Sequence, residues 1–371
     1  MPGKNKIIFL SLAMFLFSSC HLGYVIKAAR GQFDLVCNSV PLEEALKSGK
    51  LTDDQESRIR LVAGIKSFGE DFLGLKKTRN YESVYLKSST PIYLVSASPK
   101  DRLMLKTWWF PLVGEVPYLG FFELEEAREE MTRLLKEDFD VIISKAEAYS
   151  TLGWLRDPVT LRLIDGSVPE YVEIILHEMT HATLYVKGQG EFNEGLASFV
   201  GKFGALQYME KTYGASHALS AEARSAICDE RLFSAYLSEL LEKLEKLYAS
   251  SLDYHEKMIL RSEIFKASRH EFECLSARFH TGRYKYFGHH KLNNAYLMTI
   301  GLYHRHFRLF ESVLKQNGNS VKDMFFFLQG LEQKGGDMIS KMSVALSGVS
   351  GPYQPKPRSL PFGFSPICNI P

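Results

Sequence analysis

The run PEYVEIILHEMTHATLYVKGQGEFNEGLASFVG, from Pro169 to Gly201, decides how this 371-residue chain is read. Pro169 suits a first helical position, and Gly188 and Gly190 suit a stop. Between them His177 and His181 stand four residues apart, so a helix projects both imidazoles from one face, with Glu178 one position round. Val172, Ile175, Leu176, Met179, Thr183 and Val186 give that helix an apolar side to bury. The pattern is H-E-x-x-H, in which two neutral imidazoles hold Zn²⁺ and the glutamate works on water. Glu194 follows 13 residues after His181, within FNEGLASF. The KGQG turn sends the chain back, so a second helix beginning near Phe192 runs beside the first and Glu194 completes a His₂Glu set. Three ligands with a fourth position open to water are the catalytic kind, not the closed structural kind. Ser198, one turn after Glu194 on the same face, is placed to support a histidine or Glu194. The plain alternative makes the histidines core residues and Glu194 a solvated one.

This set predicts hydrolysis of a peptide bond. Zinc brings the pKa of water towards about 7 and polarises the scissile carbonyl. Glu178 takes the proton of the water and returns it to the leaving amine. The oxyanion needs a further donor, commonly a Tyr or His. Among 18 tyrosines the candidates are Tyr149, Tyr296 and Tyr303, with His304 and His306. Tyr149 ranks first, because AYSTLGW precedes the metal helix, where such enzymes often place a strand that pairs with substrate backbone.

The N-terminus supplies an address. Lys4 and Lys6 precede the apolar run Ile7 to Phe17, and Ser18, Ser19 and Cys20 follow. A basic start, a short apolar stretch and small residues at the break make a secretory signal over 1–19. The run is too short to span a bilayer, which takes about 20 apolar residues. A cysteine after two small residues resembles a lipoprotein signal, in which Cys20 becomes the lipidated mature N-terminus of an exported protein anchored to the cell envelope; an ordinary cleaved signal or a buried N-terminal helix is the alternative. Removing residues 1–19 takes away two lysines and no acid, so the formal charge of +2 falls to zero. Nothing in that balance favours nucleic acid. Cys37, Cys228, Cys274 and Cys368 then remain, available for disulfides in an oxidising compartment or as buried thiols.

The fold class expected is α+β and mostly helical. Residues 21 to about 90 read as helical with turns at Pro41 and Gly74, Thr52 to Phe72 carrying the clearest stripe. PIYLVSAS (Pro91 to Ser98) and DFDVIIS (Asp138 to Ser144) read as strands, and Glu123 to Glu137 as a helix. WWFPLVGEVPYLGFF (Trp108 to Phe122) reads as short strands or an ordered loop. Beyond Pro169 nearly everything is helical: Ser220 to Phe272 as a hairpin broken near Ser250, then Leu292 to Leu314 and Val321 to Leu331. Six prolines in 350–371 predict an extended tail, leaving 20–349 as a single domain.

The chain resembles the bacterial putative zinc aminopeptidases of the gluzincin type, often lipoproteins. The likeness is carried by GYVIKAARGQ (Gly23 to Gln32), WWFPLVGEVPYLGFF, AYSTLGWLRDP (Ala148 to Pro158), HEMTH with LYVKG, FNEGLASFVG and LNNAYL (Leu292 to Leu297), in that order. The resemblance implies a zincin-like core with one zinc on His177, His181 and Glu194, Glu178 as general base, and release of N-terminal residues from peptides. The chain departs from the family's pattern at Gln189, where Asp is usual, and at Ala182, where Gln is commoner. Neither position is a ligand, so the departures bear on substrate preference. Exopeptidases hold the substrate's α-amine with an acidic group, and no G-x-M-E-N loop occurs here. An endopeptidase, and an inactive zinc-bearing envelope lipoprotein that serves as a binding or scaffold protein, are the alternatives.

Overall fold

The structure is a computed structural model that describes residues 34–87, 92–110, 114–146, 156–289 and 291–347. The proposed signal, Cys20, Tyr149, Cys368 and the proline-rich tail lie outside these residues.

The architecture is α+β and mostly helical. A two-residue strand β1 (Val40–Pro41) leads into α1 (Leu42–Lys47) and α2 (Asp53–Ser67). Thr52 starts α2 with a capping box closed by Gln55, and Ile59, Val62 and Ile65 bury its inner face. A π-helical turn, Phe68–Phe72, continues it. The helical expectation then fails: after Gly74 the chain leaves the helix and forms β2 (Ser83–Tyr85). β2 pairs antiparallel with β1 and parallel with β8 (Val159–Thr160), so its partners are distant in sequence and no local periodicity announces it.

β3 (Ile92–Pro99) is the centre of a second sheet, flanked antiparallel by β6 (Leu119–Phe121) and by β7 (Phe139–Ala146), with Val95 facing Ile143 and Leu119. The aromatic segment forms β4 (Trp108–Phe110), its antiparallel partner β5 (Gly114–Val116) and β6. Helix α3 (Leu124–Lys136) covers this sheet with Ala127 and Leu134 in a small apolar core of their own.

From Val168 the protein is helical: α4 (Val168–Thr183), α5 (Gly190–Tyr213), α6 (Ala218–Tyr248) and α7 (Tyr254–Ser276), the last two antiparallel. The expected single helix from Leu292 to Leu314 is two, α8 (Asn294–His304) and α9 (Phe307–Gln316), followed by α10 (Val321–Glu332) and α11 (Met338–Ser347). The break has no Gly or Pro. It falls where the Ser238 hydroxyl donates to the Arg305 carbonyl and His306 pairs with Glu191, both long-range contacts. α5 lies in the middle, apolar nearly all round, with Phe192, Leu196, Phe199 and Val200 fully covered. The main core joins α2, α4, α5 and α9–α11, and a second core joins α6, α7 and α8. No helix of the described residues is long and apolar enough to cross a membrane.

Cys37 and Cys274 are exposed free thiols, which corrects the expectation that they pair or are buried. Cys228 is disulfide-bonded.

Candidate metal centre

Two helices build the site, and local sequence explains both. Ser167 caps α4, its side chain accepting from the Glu170 N–H while Glu170 returns to the Ser167 N–H, and Pro169 sits in the first turn. Tyr171, Val172, Ile175, Leu176 and Met179 bury one side of α4, which aims His177 and His181 the other way. Thr183 is partly exposed and accepts the Lys76 N–H, and Val186 lies past the helix.

The return turn uses Gly188 at φ +78°, the left-handed conformation glycine adopts without strain. Gly190 does not stop the first helix as the sequence suggests; it begins the second. Asn193, which the sequence reading passed over, closes the turn from inside. Its Oδ1 accepts the Val186 N–H and its Nδ2 donates to the Val186 carbonyl, each at 2.8 Å. That pair of hydrogen bonds fixes the residue beside Glu194. Further along, Gly201 lets the helices touch: a Cβ there would lie 2.7 Å from the Glu173 carbonyl and 3.3 Å from His177 Cβ.

The result is a triangle of donor atoms. Nε2 of His177 lies 3.1 Å from Nε2 of His181, and Glu194 Oε2 lies 3.4 and 3.5 Å from them. Four ligands around zinc at about 2.0–2.1 Å stand about 3.3 Å from one another, so the three edges fit a tetrahedral ion. Two imidazole nitrogens and one carboxylate are also the donor set zinc takes, and His177, His181 and Glu194 fit the metal. His181 is 5% exposed. Burial alone would raise the Glu194 carboxyl, but the two histidines outweigh it and hold it well below the carboxylate range. Burial opposes, and Glu194 then Glu178 favour, the charged form of His181, which ends above its ordinary value.

Glu178 lies beside the triangle with Oε2 buried and, among the described residues, without a hydrogen-bond partner. Tyr81 lies near it, and desolvation, then the Glu178 charge, pushes its phenol far up. Ser198 is buried one turn after Glu194, but its hydroxyl makes no hydrogen bond to the triad among the described residues.

Of the oxyanion candidates, the structure brings Tyr303 to the site. Its ring stacks on His177 at 6.2 Å between centroids, and desolvation followed by the charge of Glu194 drives its phenol well above the ordinary value. Tyr296 packs on Phe287 in the second core, away from the triad. His304 pairs with Glu230 at 2.9 Å, and His306 with Glu191 at 2.9 Å. Tyr149 lies outside the described residues. Tyr185, just past the end of α4, flanks His181 edge-on at 6.3 Å; it stands in the extended segment after Thr183, so helical spacing does not place it.

No curated protein and no solved structure matches the chain. A protein-family model described as "Putative aminopeptidase" matches residues 23–337, most of the sequence and the whole of the two-helix unit. The chain belongs to the putative aminopeptidase family.

Proposed function

We propose that the protein is a zinc-dependent peptidase with a zincin-like core, in which α4 and α5 form an H-E-x-x-H and N-E unit. The observation that carries this reading is the convergence of His177, His181 and Glu194 with a buried carboxylate oxygen of Glu178 beside them that has no hydrogen-bond partner among the described residues. When bound, zinc polarises the scissile carbonyl and makes water a nucleophile at neutral pH.

The rest belongs to the chain. Glu178 accepts the proton of the attacking water at its buried oxygen and passes it to the leaving amine. Tyr303 donates its phenolic proton in a hydrogen bond to the developing oxyanion. This moves the role from Tyr149 to Tyr303 on the strength of its place over His177. Asn193 holds the return turn and Gly201 the helix crossing, so the ligands keep their separation. The family's description, putative aminopeptidase, supports a peptide substrate and removal of its N-terminal residue. The protein is exported with residues 1–19 as signal, and a lipid on Cys20 holds the single domain, 20–349, at the envelope.

A second reading, an endopeptidase, is favoured by one observation. Glu173, the carboxylate one turn before His177, is already held by Lys202 at 2.8 Å and Arg283 at 2.5 Å, which leaves it little capacity for a substrate amine. Metal analysis of the purified protein, with one peptide offered free and N-acetylated, tests these readings. About one zinc per chain and cleavage of the free peptide alone fit the first. Cleavage of both fits the second. Zinc without cleavage of any peptide in a broad panel leaves the inactive binding protein.

A further inference from the structure

We propose that Glu230 is a positioning residue, which sets Tyr303 against the metal triad through His304. The inference rests on the zinc-peptidase reading, in which Tyr303 serves the oxyanion.

Glu230 on α6 has no exposed surface. Its carboxylate receives Nδ1 of His304 at 2.9 Å, Lys202 Nζ at 3.4 Å, and the Tyr284 hydroxyl. Lys202, itself 7% exposed, reaches on to Glu173 of the metal helix. The cluster therefore ties α4, α5, α6, the 280–284 segment and α8 at one point behind the histidines. Burying such charges carries a desolvation penalty that an apolar packing would avoid, so its use calls for a role beyond stability.

That role follows from the position of His304. It is the last residue of α8 and the neighbour of Tyr303. Successive side chains on a helix diverge by about 100°, so Tyr303 faces the triad while His304 faces Glu230. The His304 ring is held edge-on against Phe233 at 5.1 Å and Tyr284 at 5.7 Å, which leaves it one orientation. At the other end Asn294 donates to the Pro99 carbonyl and Asn293 to the Val141 carbonyl, pinning the start of α8 to β3 and β7. Among the described residues the last turn has no such tie to the sheet; Ser238 holds the Arg305 carbonyl and Glu191 holds His306 just beyond it. The His304–Glu230 pair is the tie next to Tyr303, and it orients the phenol.

The test places 3-fluorotyrosine at position 303 or, as control, at 185 in the zinc-loaded full chain, with and without Glu230→Gln. The ¹⁹F resonance at 303 shifts or broadens, and that at 185 does not. In parallel, Glu230→Gln lowers kcat about ten-fold in the native background, the cost of a sub-ångström misplacement, and less than two-fold when Tyr303→Phe is already present. Equal changes at 303 and 185, no change at 303, or the same kcat loss in both backgrounds overturns the inference. If Glu230→Gln loses zinc, His304→Gln carries the same expectations. Failure of the zinc-peptidase reading shows separately, as a native protein that holds no zinc or cleaves no peptide, and the fluorine signals still decide the positioning.

Discussion

Nε2 of His177 and Nε2 of His181 face each other at 3.1 Å with the Glu194 carboxylate closing the third side. Two imidazole lone pairs at that separation repel unless a proton or a metal ion lies between them. Because an ion that binds only the folded state adds its binding energy to stability, a chelator should lower the melting temperature by several degrees and added zinc should restore it. In His181→Ala the melting temperature should no longer respond to either. A native protein indifferent to chelator would argue against a resident metal.

The crossing of α4 and α5 depends on Gly201. A methyl there meets the Glu173 backbone carbonyl at 2.7 Å, a contact no side-chain rotation relieves. Gly201→Ala should cost about 1–3 kcal/mol by overpacking and weaken zinc binding, as the histidines of α4 move from Glu194 of α5. Denaturant unfolding and zinc titration read the two effects.

Tyr303→Phe removes the phenol beside Glu194 and leaves the ring on His177. Loss of one oxyanion donor costs on the order of 100-fold in kcat, with KM and zinc content nearly unchanged. Steady-state kinetics on a cleaved peptide distinguish this from a ground-state role, in which KM would rise and kcat hold.

Acid should act through the buried cluster. Burial would raise the Glu230 carboxyl, but His304 and Lys202 bring it down to about 2 from an ordinary 4.5. A carboxylate depressed in the folded state stabilises above its unfolded pKa and loses that contribution as pH falls through the folded one. Glu173 is lowered in the same direction. Thermal melts of the metal-free protein should therefore lose stability between about pH 4.5 and 2, and Glu230→Gln should flatten that loss. Identical slopes would show that Glu230 is not held ionised.

Much of the site could be read from the residues because its determinants are local. The spacing of His177, Glu178 and His181, Pro169 at the start of α4 and the glycine at 188 are all written within one helix and one turn. What escaped was set by distant partners. β2 looked helical because its pairing to β1 and β8 lies outside any window. The α8–α9 break is made by contacts from Ser238 and Glu191. Tyr303 resembled 17 other tyrosines until packing placed it over His177, since no pattern in its own neighbourhood marks it.

Glu178→Gln is the most direct test of the account, because it keeps the shape of the side chain and removes only its capacity to take a proton. The purified variant should retain about one zinc per chain while peptide hydrolysis falls at least 100-fold, within the range for loss of a general base. Unchanged hydrolysis at full zinc content would contradict the assignment.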